Sequence, residues 1–127
     1  MIDIREVSTQ ALAYLGDCVL EMQVREHLVC KGLSTSGHLN EAALSFVRAS
    51  AQAEAMKKLL PVLSEEEEAY FRRGRNLGHS SVPKNATVSD YRTATGMEAL
   101  FGFLHLSGRR ERIAELFALA YLKEDAE

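Results

Sequence analysis

The stretch between Glu6 and Glu21, VSTQALAYLGDCVL, is apolar nearly all the way round a helix and carries a single charge, Asp17. A surface helix needs only one apolar stripe, so this pattern predicts a helix set deep in the molecule, with Asp17 inside it. Ser8 supplies an N-cap, and Lys31 with Gly32 supplies a basic last turn and a glycine stop, so the helix is expected to end near Cys30. A second stretch of the same kind, TATGMEALFGFLHLSG, lies between Arg92 and Arg109, and Glu98 is its one certain charge. Helices that are apolar all round must be covered by neighbours, which makes these two the expected heart of the fold.

The rest of the chain also favours helices. Two prolines and few aromatics stand against many Ala, Leu and Glu, and no segment alternates as a strand would. The pattern predicts a helix throughout 37–60, bounded by Pro61 and with a bend near Ala49 to Ala51 left open, and another opened by a capping box of Ser64 and Glu67. There Glu65 to Glu68 place negative charge where the helix dipole favours it. Helices over 91–106 and 109–122 follow, with a loop over 73–90 between the last acidic helix and the second apolar one. With 127 residues, 26% of them charged and 46% hydrophobic, this is an all-α globular chain forming one domain over 1–127. No apolar run approaches the roughly 18 to 20 residues that span a bilayer, and the first residues lack a leader pattern, so a cytoplasmic protein with no membrane partner is expected. Cys18 and Cys30 lack the further ligands of a zinc site and are expected to be small core residues.

A lone ionised carboxylate among apolar helices costs several kcal/mol unless it is paired, hydrogen-bonded, protonated or bound to a metal. Each acid has glycine beside it: Gly16 precedes Asp17, and Gly96 and Gly102 flank Glu98. Glycines inside helices allow close approach at a cost of up to about 1 kcal/mol. Helices crossing at these glycines would bring the two carboxylates within reach of one hard cation. Arginine pairing or helix capping would meet the same need, and the spacing alone leaves both open. Between Arg72 and Arg92 the basic residues Arg72, Arg73, Arg75, Lys84 and Arg92 face one acid, Asp90, in a chain of net charge −3. A basic segment beside a carboxylate-held magnesium is what phosphoryl chemistry uses.

The segment Leu15-Gly16-Asp17-Cys18-Val19-Leu20-Glu21 resembles the FLGDAVLE signature of ribonuclease III domains, and Glu98-Ala99-Leu100-Phe101-Gly102 resembles their second motif, EALIG. Together with ALAYLGD at 11–17, FVRASAQA at 46–53, FRRGRN at 71–76 and ATGMEAL at 94–100, the chain resembles the Mini-ribonuclease III family over nearly its whole length. The resemblance implies the ribonuclease III endonuclease-domain-like helical fold in a symmetric homodimer. It implies a magnesium-dependent endoribonuclease that cuts double-stranded RNA and matures large-subunit (23S) ribosomal RNA precursor, with a ribosomal protein as a candidate assistant. It places Asp17 at the signature aspartate and Glu98 at the metal-binding glutamate, as catalytic and metal-holding residues. Gln10 and Ala13 stand where full-length ribonuclease III has glutamates, and Thr95 where it has aspartate, so one tightly held Mg2+ per site is expected.

Arg72, Arg73, Arg75, Lys84 and Arg92 are the expected RNA-binding residues. Their contacts would be to phosphate and ribose, because A-form duplexes hide their base edges. His79, in the loop, is the one histidine placed to touch RNA, whereas His105 is expected in the core or an interface. Glu21 reads as a surface acid. GRNLG at 74–78 lacks the Lys-Ser/Thr of a phosphate-binding loop. The apolar circumference of the first helix, with Phe101, Phe103 and Leu104, exceeds the needs of one small core and points to a dimer. The competing readings are a catalytically silent RNA-binding scaffold on the same fold, and a helical module whose acids pair with arginines.

Overall fold

A computed structural model describes residues 2–78, 84 and 86–122, and every regular element among them is helical. After a single turn at Ile4–Glu6 come α1 (Thr9–Cys30), α2 (Ser36–Val47), α3 (Ala49–Leu59), α4 (Glu65–Arg75), α5 (Val88–Leu106) and α6 (Arg110–Phe117). No described helix is long and apolar enough to cross a membrane.

α5 is the central element. It packs most extensively on α1, then on α4 and α3, while α2 lies on α1 and α6 closes the end. Its all-round apolar sequence is thereby accounted for: ten of its residues are buried, among them Met97, Leu100, Phe101, Phe103 and Leu104. The contact with α1 is backbone on backbone. A methyl placed on Gly16 would overlap the Glu98 carbonyl oxygen, and one on Gly102 would overlap that of Leu12. The α4 crossing is nearly as close: a Cβ on Gly74 would come 2.7 Å from that of Ala99, and one on Gly96 2.7 Å from the Phe71 ring. Tyr70 stacks on Phe103 with ring centroids 3.9 Å apart.

Several expectations need correction. α1 is not buried all round, since Tyr14, Met22 and Val29 are 86%, 63% and 61% exposed, and Asp17 lies on that open side. Cys18 and Cys30 are exposed rather than in the core. Phe101, Phe103 and Leu104 are no surplus, because this chain's own core consumes them. The helix over 37–60 is two helices: the bend left open near Ala49 to Ala51 is a full break one residue earlier, at Arg48, whose backbone is extended (φ −66°, ψ 154°). Neither proline nor glycine marks the break. Side chains from elsewhere hold the freed carbonyls instead: the Tyr121 hydroxyl donates to Phe46 O at 3.0 Å and Gln52 Nε2 to Val47 O at 2.9 Å. The expected loop over 73–90 loses its two ends to helices, because α4 continues through Arg75 and Thr87 caps α5 by accepting from the Asp90 amide at 3.0 Å, while residues 79–83 and 85 lie outside the described residues. The last helix starts after Gly108, in left-handed backbone at φ +77°, and widens into a looser turn at Ala118–Leu122.

The Ser64–Glu67 capping box is present, but Glu67 does more than cap. It is 4% exposed and receives two hydrogen bonds from Arg112, at 2.8 and 2.9 Å, while Arg112 also donates to Val62 O at 2.8 Å. Removing one partner of a buried ion pair typically costs 3 to 5 kcal/mol. Arg112→Met should therefore lower unfolding free energy by about 3 kcal/mol in urea titration, the lower end applying because Glu67 keeps its cap bond to the Ser64 amide. A loss under about 1 kcal/mol would reduce the pair to a surface contact.

Candidate active site

Asp17 leaves α1 one residue after the Gly16 contact, and Glu98 leaves α5 at the carbonyl that Gly16 meets. The glycine crossing therefore sets the two side chains at one place. They open into a cleft of about 210 Å³ lined by Gln10, Ala13, Tyr14, Asp17, Leu77, Gly78, Tyr91, Thr95 and Glu98. A larger groove of about 610 Å³ runs along the uncovered face of α1, through Tyr14, Leu15, Cys18 and Met22. Tyr14 and Asp17 belong to both hollows.

Burial pushes the Glu98 carboxyl up to about 8; the neighbouring charge of Asp17 adds to this and Gln52 opposes it. Asp17 is exposed as a residue, yet partial desolvation of its carboxyl, with Glu21 second, holds it above the ordinary aspartate range. Tyr121, shielded and facing the Glu98 charge, has its phenol raised as well. No lysine, arginine or histidine pairs with Asp17 or Glu98 among the described residues. The two acids thus repel each other without a protein cation between them. Two oxygen-donor side chains that jointly resist ionisation suit a hard divalent cation. Gln10, Ala13 and Thr95 line the same cleft, and no described group of three or more His, Cys, Asp or Glu gathers there or elsewhere. Thr95 turns its hydroxyl back to Tyr91 O at 3.0 Å.

The basic residues do not form one patch. Arg73 donates through Nε to Thr9 Oγ1 at 3.1 Å and lies 4.8 Å over the Tyr70 ring, which sets it at the start of α1 near Gln10. Arg72 and Arg75 line a different groove, of about 370 Å³, with Lys57, Ser89, Asp90 and Thr93, and Arg72 also meets Glu68 at 3.5 Å. Lys84 and Arg92 are exposed, and His79 lies outside the described residues. His105 is exposed and lines a groove with Leu15, Cys18 and Met22, which removes it from the core. Glu21 pairs with Arg25 at 3.0 Å. Gln52 and Tyr121 were not singled out from the sequence. Gln52 could have been, as a lone polar residue among Ala53, Ala55, Met56 and Leu59 on the buried side of its helix.

The ribonuclease III domain model matches residues 10–109. A Mini-ribonuclease 3 of Brevibacillus brevis is 48% identical over 110 residues, covering 87% of this chain and 82% of that protein. One from Enterococcus faecalis is 42% identical, covering 91% and 89%. A crystal structure of a Fusobacterium nucleatum protein superposes with a TM-score of 0.82 at 31% identity, over 92% of this chain and 93% of that one. The matched span carries both glycine crossings and both cleft carboxylates. The chain therefore belongs to the ribonuclease III domain family, in its Mini-ribonuclease III branch, and its enzyme class is that of an endoribonuclease.

Proposed function

We propose that this chain is a magnesium-dependent endonuclease for double-stranded RNA that matures precursor large-subunit ribosomal RNA, with Asp17 and Glu98 holding the ion. The observation that carries the reading is the one cleft in which two mutually repelling carboxylates meet with no cation from the described residues between them. When bound, Mg2+ would supply a water activated for attack on phosphorus and a positive charge beside the phosphodiester. The chain's own part is to hold two carboxylate oxygens together at a rigid helix crossing and to grip the duplex. Arg73, held at the start of α1 by its contact with Thr9, Arg72 and Arg75 on their separate groove, and exposed Lys84 and Arg92 would contact phosphate and ribose. Two carboxylates in the cleft among the described residues favour one tightly held ion. Incubation with a perfectly paired RNA, in magnesium and then in chelator, tests the reading. Cleavage that persists in chelator would end the metal assignment, and binding without cleavage under both conditions would favour the silent scaffold.

Changing Arg72, Arg73 and Arg75 together to alanine should weaken duplex binding about equally across sequences. Because phosphate contacts act through counterion release, the dependence of log affinity on log salt should become shallower by roughly one unit per lost contact. An unchanged slope would put the RNA surface elsewhere.

A duplex has two strands to cut and each chain offers one Asp17 and Glu98 set, so the working unit would be a two-fold dimer. The uncovered apolar side of α1, with Tyr14, Leu15, Cys18 and Met22, is where a second copy would seat. Light scattering at micromolar concentration should return the mass of two chains, and a one-chain mass would remove the dimer.

A further inference from the structure

Tyr70, on α4, is buried and stacks on the buried ring of Phe103 at a tilt of 12°. With 3.9 Å between the ring centroids nothing fits between them, so a cation on this stack must take an outer face. Arginines take both: Arg73 Cζ lies 4.8 Å from the Tyr70 centroid, and Arg109 Cζ 5.0 Å from that of Phe103. The two charges are treated differently. Arg109 meets Glu66 at 3.0 Å, as Arg72 meets Glu68 at 3.5 Å. No acid among the described residues meets Arg73, and its one hydrogen bond there runs from Nε to Thr9 Oγ1 at 3.1 Å. An exposed arginine ordinarily samples many rotamers, and ordering it is one of the costs of forming an interface. Here the Tyr70 ring holds the face of the guanidinium and Thr9 holds its Nε edge, so the side chain is ordered before a ligand arrives. The end-on edge, Nη1 with Nη2, has no acceptor among the described residues. That edge is a planar pair of donors that matches two oxygens of one phosphate.

We infer that Tyr70 and Thr9 are positioning residues for Arg73, holding its terminal amines as a fixed fork for a backbone phosphate of the duplex at the start of α1. The inference rests on the reading of this chain as one that grips double-stranded RNA. Thr9 directly precedes Gln10, which lines the carboxylate cleft, so the fork is tied to the same helix that carries Asp17.

Cleavage of a perfectly paired RNA by the whole chain in magnesium, resolved into kcat and KM, separates the claims. Arg73→Lys keeps the charge but not the fork, and should raise KM about 10-fold or more with kcat little changed. Thr9→Val keeps the shape but cannot accept from Nε. It should melt within a few degrees of the unsubstituted protein yet raise KM roughly 2- to 10-fold, the net worth of one hydrogen bond. Tyr70→Leu should raise KM likewise and Tyr70→Phe restore it, because the ring carries Arg73. In an Arg73→Ala background neither Thr9→Val nor Tyr70→Leu should raise KM further, a silence that a packing role would not produce. A KM within twofold for Arg73→Lys, or a Thr9→Val effect that is absent or is equal with and without Arg73, would overturn this inference alone. Should Tyr70→Leu fail to fold, the Thr9→Val cycle decides. If the duplex is bound but not cut, Kd by fluorescence anisotropy takes the place of KM in every comparison. An unsubstituted chain that neither binds nor cuts the duplex overturns the functional reading and the inference with it.

Discussion

Asp17→Asn and Glu98→Gln should each abolish duplex cleavage in magnesium while leaving duplex binding and the oligomeric state largely intact. Each substitution removes a ligand charge with almost no change in volume. The loss should be at least about 100-fold, since even the outer partners of metal ligands are worth 10- to 100-fold. The same variants report on architecture when melted in chelator. Glu98 ionises against burial and against the Asp17 charge, and no described cation compensates it. A neutral amide there escapes that cost, so the variants should melt at or above the temperature of the unsubstituted chain. Had either acid anchored a buried arginine, as Glu67 anchors Arg112, its neutralisation would cost about 3 to 5 kcal/mol. A folded variant that still cuts refutes the assigned role, and one that unfolds in chelator shows a structural acid.

The pH dependence follows from Glu98 and Glu67, with opposite signs. Glu98 titrates near 8 in the folded chain and at its ordinary 4.5 when unfolded, so the fold binds this proton more tightly. Its stabilising contribution is complete below about 4.5 and disappears as the pH rises to about 8. Metal-free protein should lose stability across that window, and Glu98→Gln should lose less. Cations compete with the same proton, so cleavage at limiting Mg2+ should climb toward pH 8. Glu67 behaves the other way: hydrogen bonds from Arg112 hold its carboxyl below the ordinary range, so its contribution is present above that range and fails in acid.

How much of this was legible in the sequence depends on how local the cause was. Ser8, Ser64 with Glu67, and Gly32 are local signals, and the helix ends they foretold are present. The central pairing of α1 with α5 was legible because two all-round apolar helices with facing glycines have few other arrangements. A bend near Ala49 to Ala51 was left open, but a full break at Arg48 was not legible, since the hydrogen bonds that hold it come from Gln52 and from Tyr121, 75 residues beyond Phe46. Apolar character around α1 was legible, but its cover was not: the residues read as buried are in part an open face. Asp17 was singled out for burial that it does not have. Its solitude proved the better clue, because no cation among the described residues neutralises it where it stands near Glu98. The arginine run was read as one patch, but neighbours on a helix point about 100° apart. Arg73 accordingly turns toward Thr9 while Arg72 and Arg75 turn toward Ser89 and Asp90.

The geometry that joins the two acids is also where the fold is least forgiving. Gly16→Ala should destabilise the chain by about 3 kcal/mol or more, the upper end of overpacking costs, because the added methyl meets the Glu98 carbonyl and the Gly102 amide nitrogen rather than a side chain that can rotate away. Gly102→Ala should cost as much, since its methyl meets Leu12 O and lies 3.2 Å from the Gly16 nitrogen. Domains of this size are stable by about 5 to 15 kcal/mol, so either change takes a large share of the total. Gly37→Ala is the control: it also lies in a helix, nothing stands within 4 Å of its added Cβ, and its stability should hold or rise slightly. Urea unfolding of the three variants measures the contrast. Any Gly16→Ala protein that folds must part α1 from α5, carrying Asp17 away from Glu98, so its Mn2+ affinity should fall even though no ligand has been changed. Gly16→Ala with unchanged stability would mean that the helices do not cross at these glycines, and the shared carboxylate cleft would lose its structural basis.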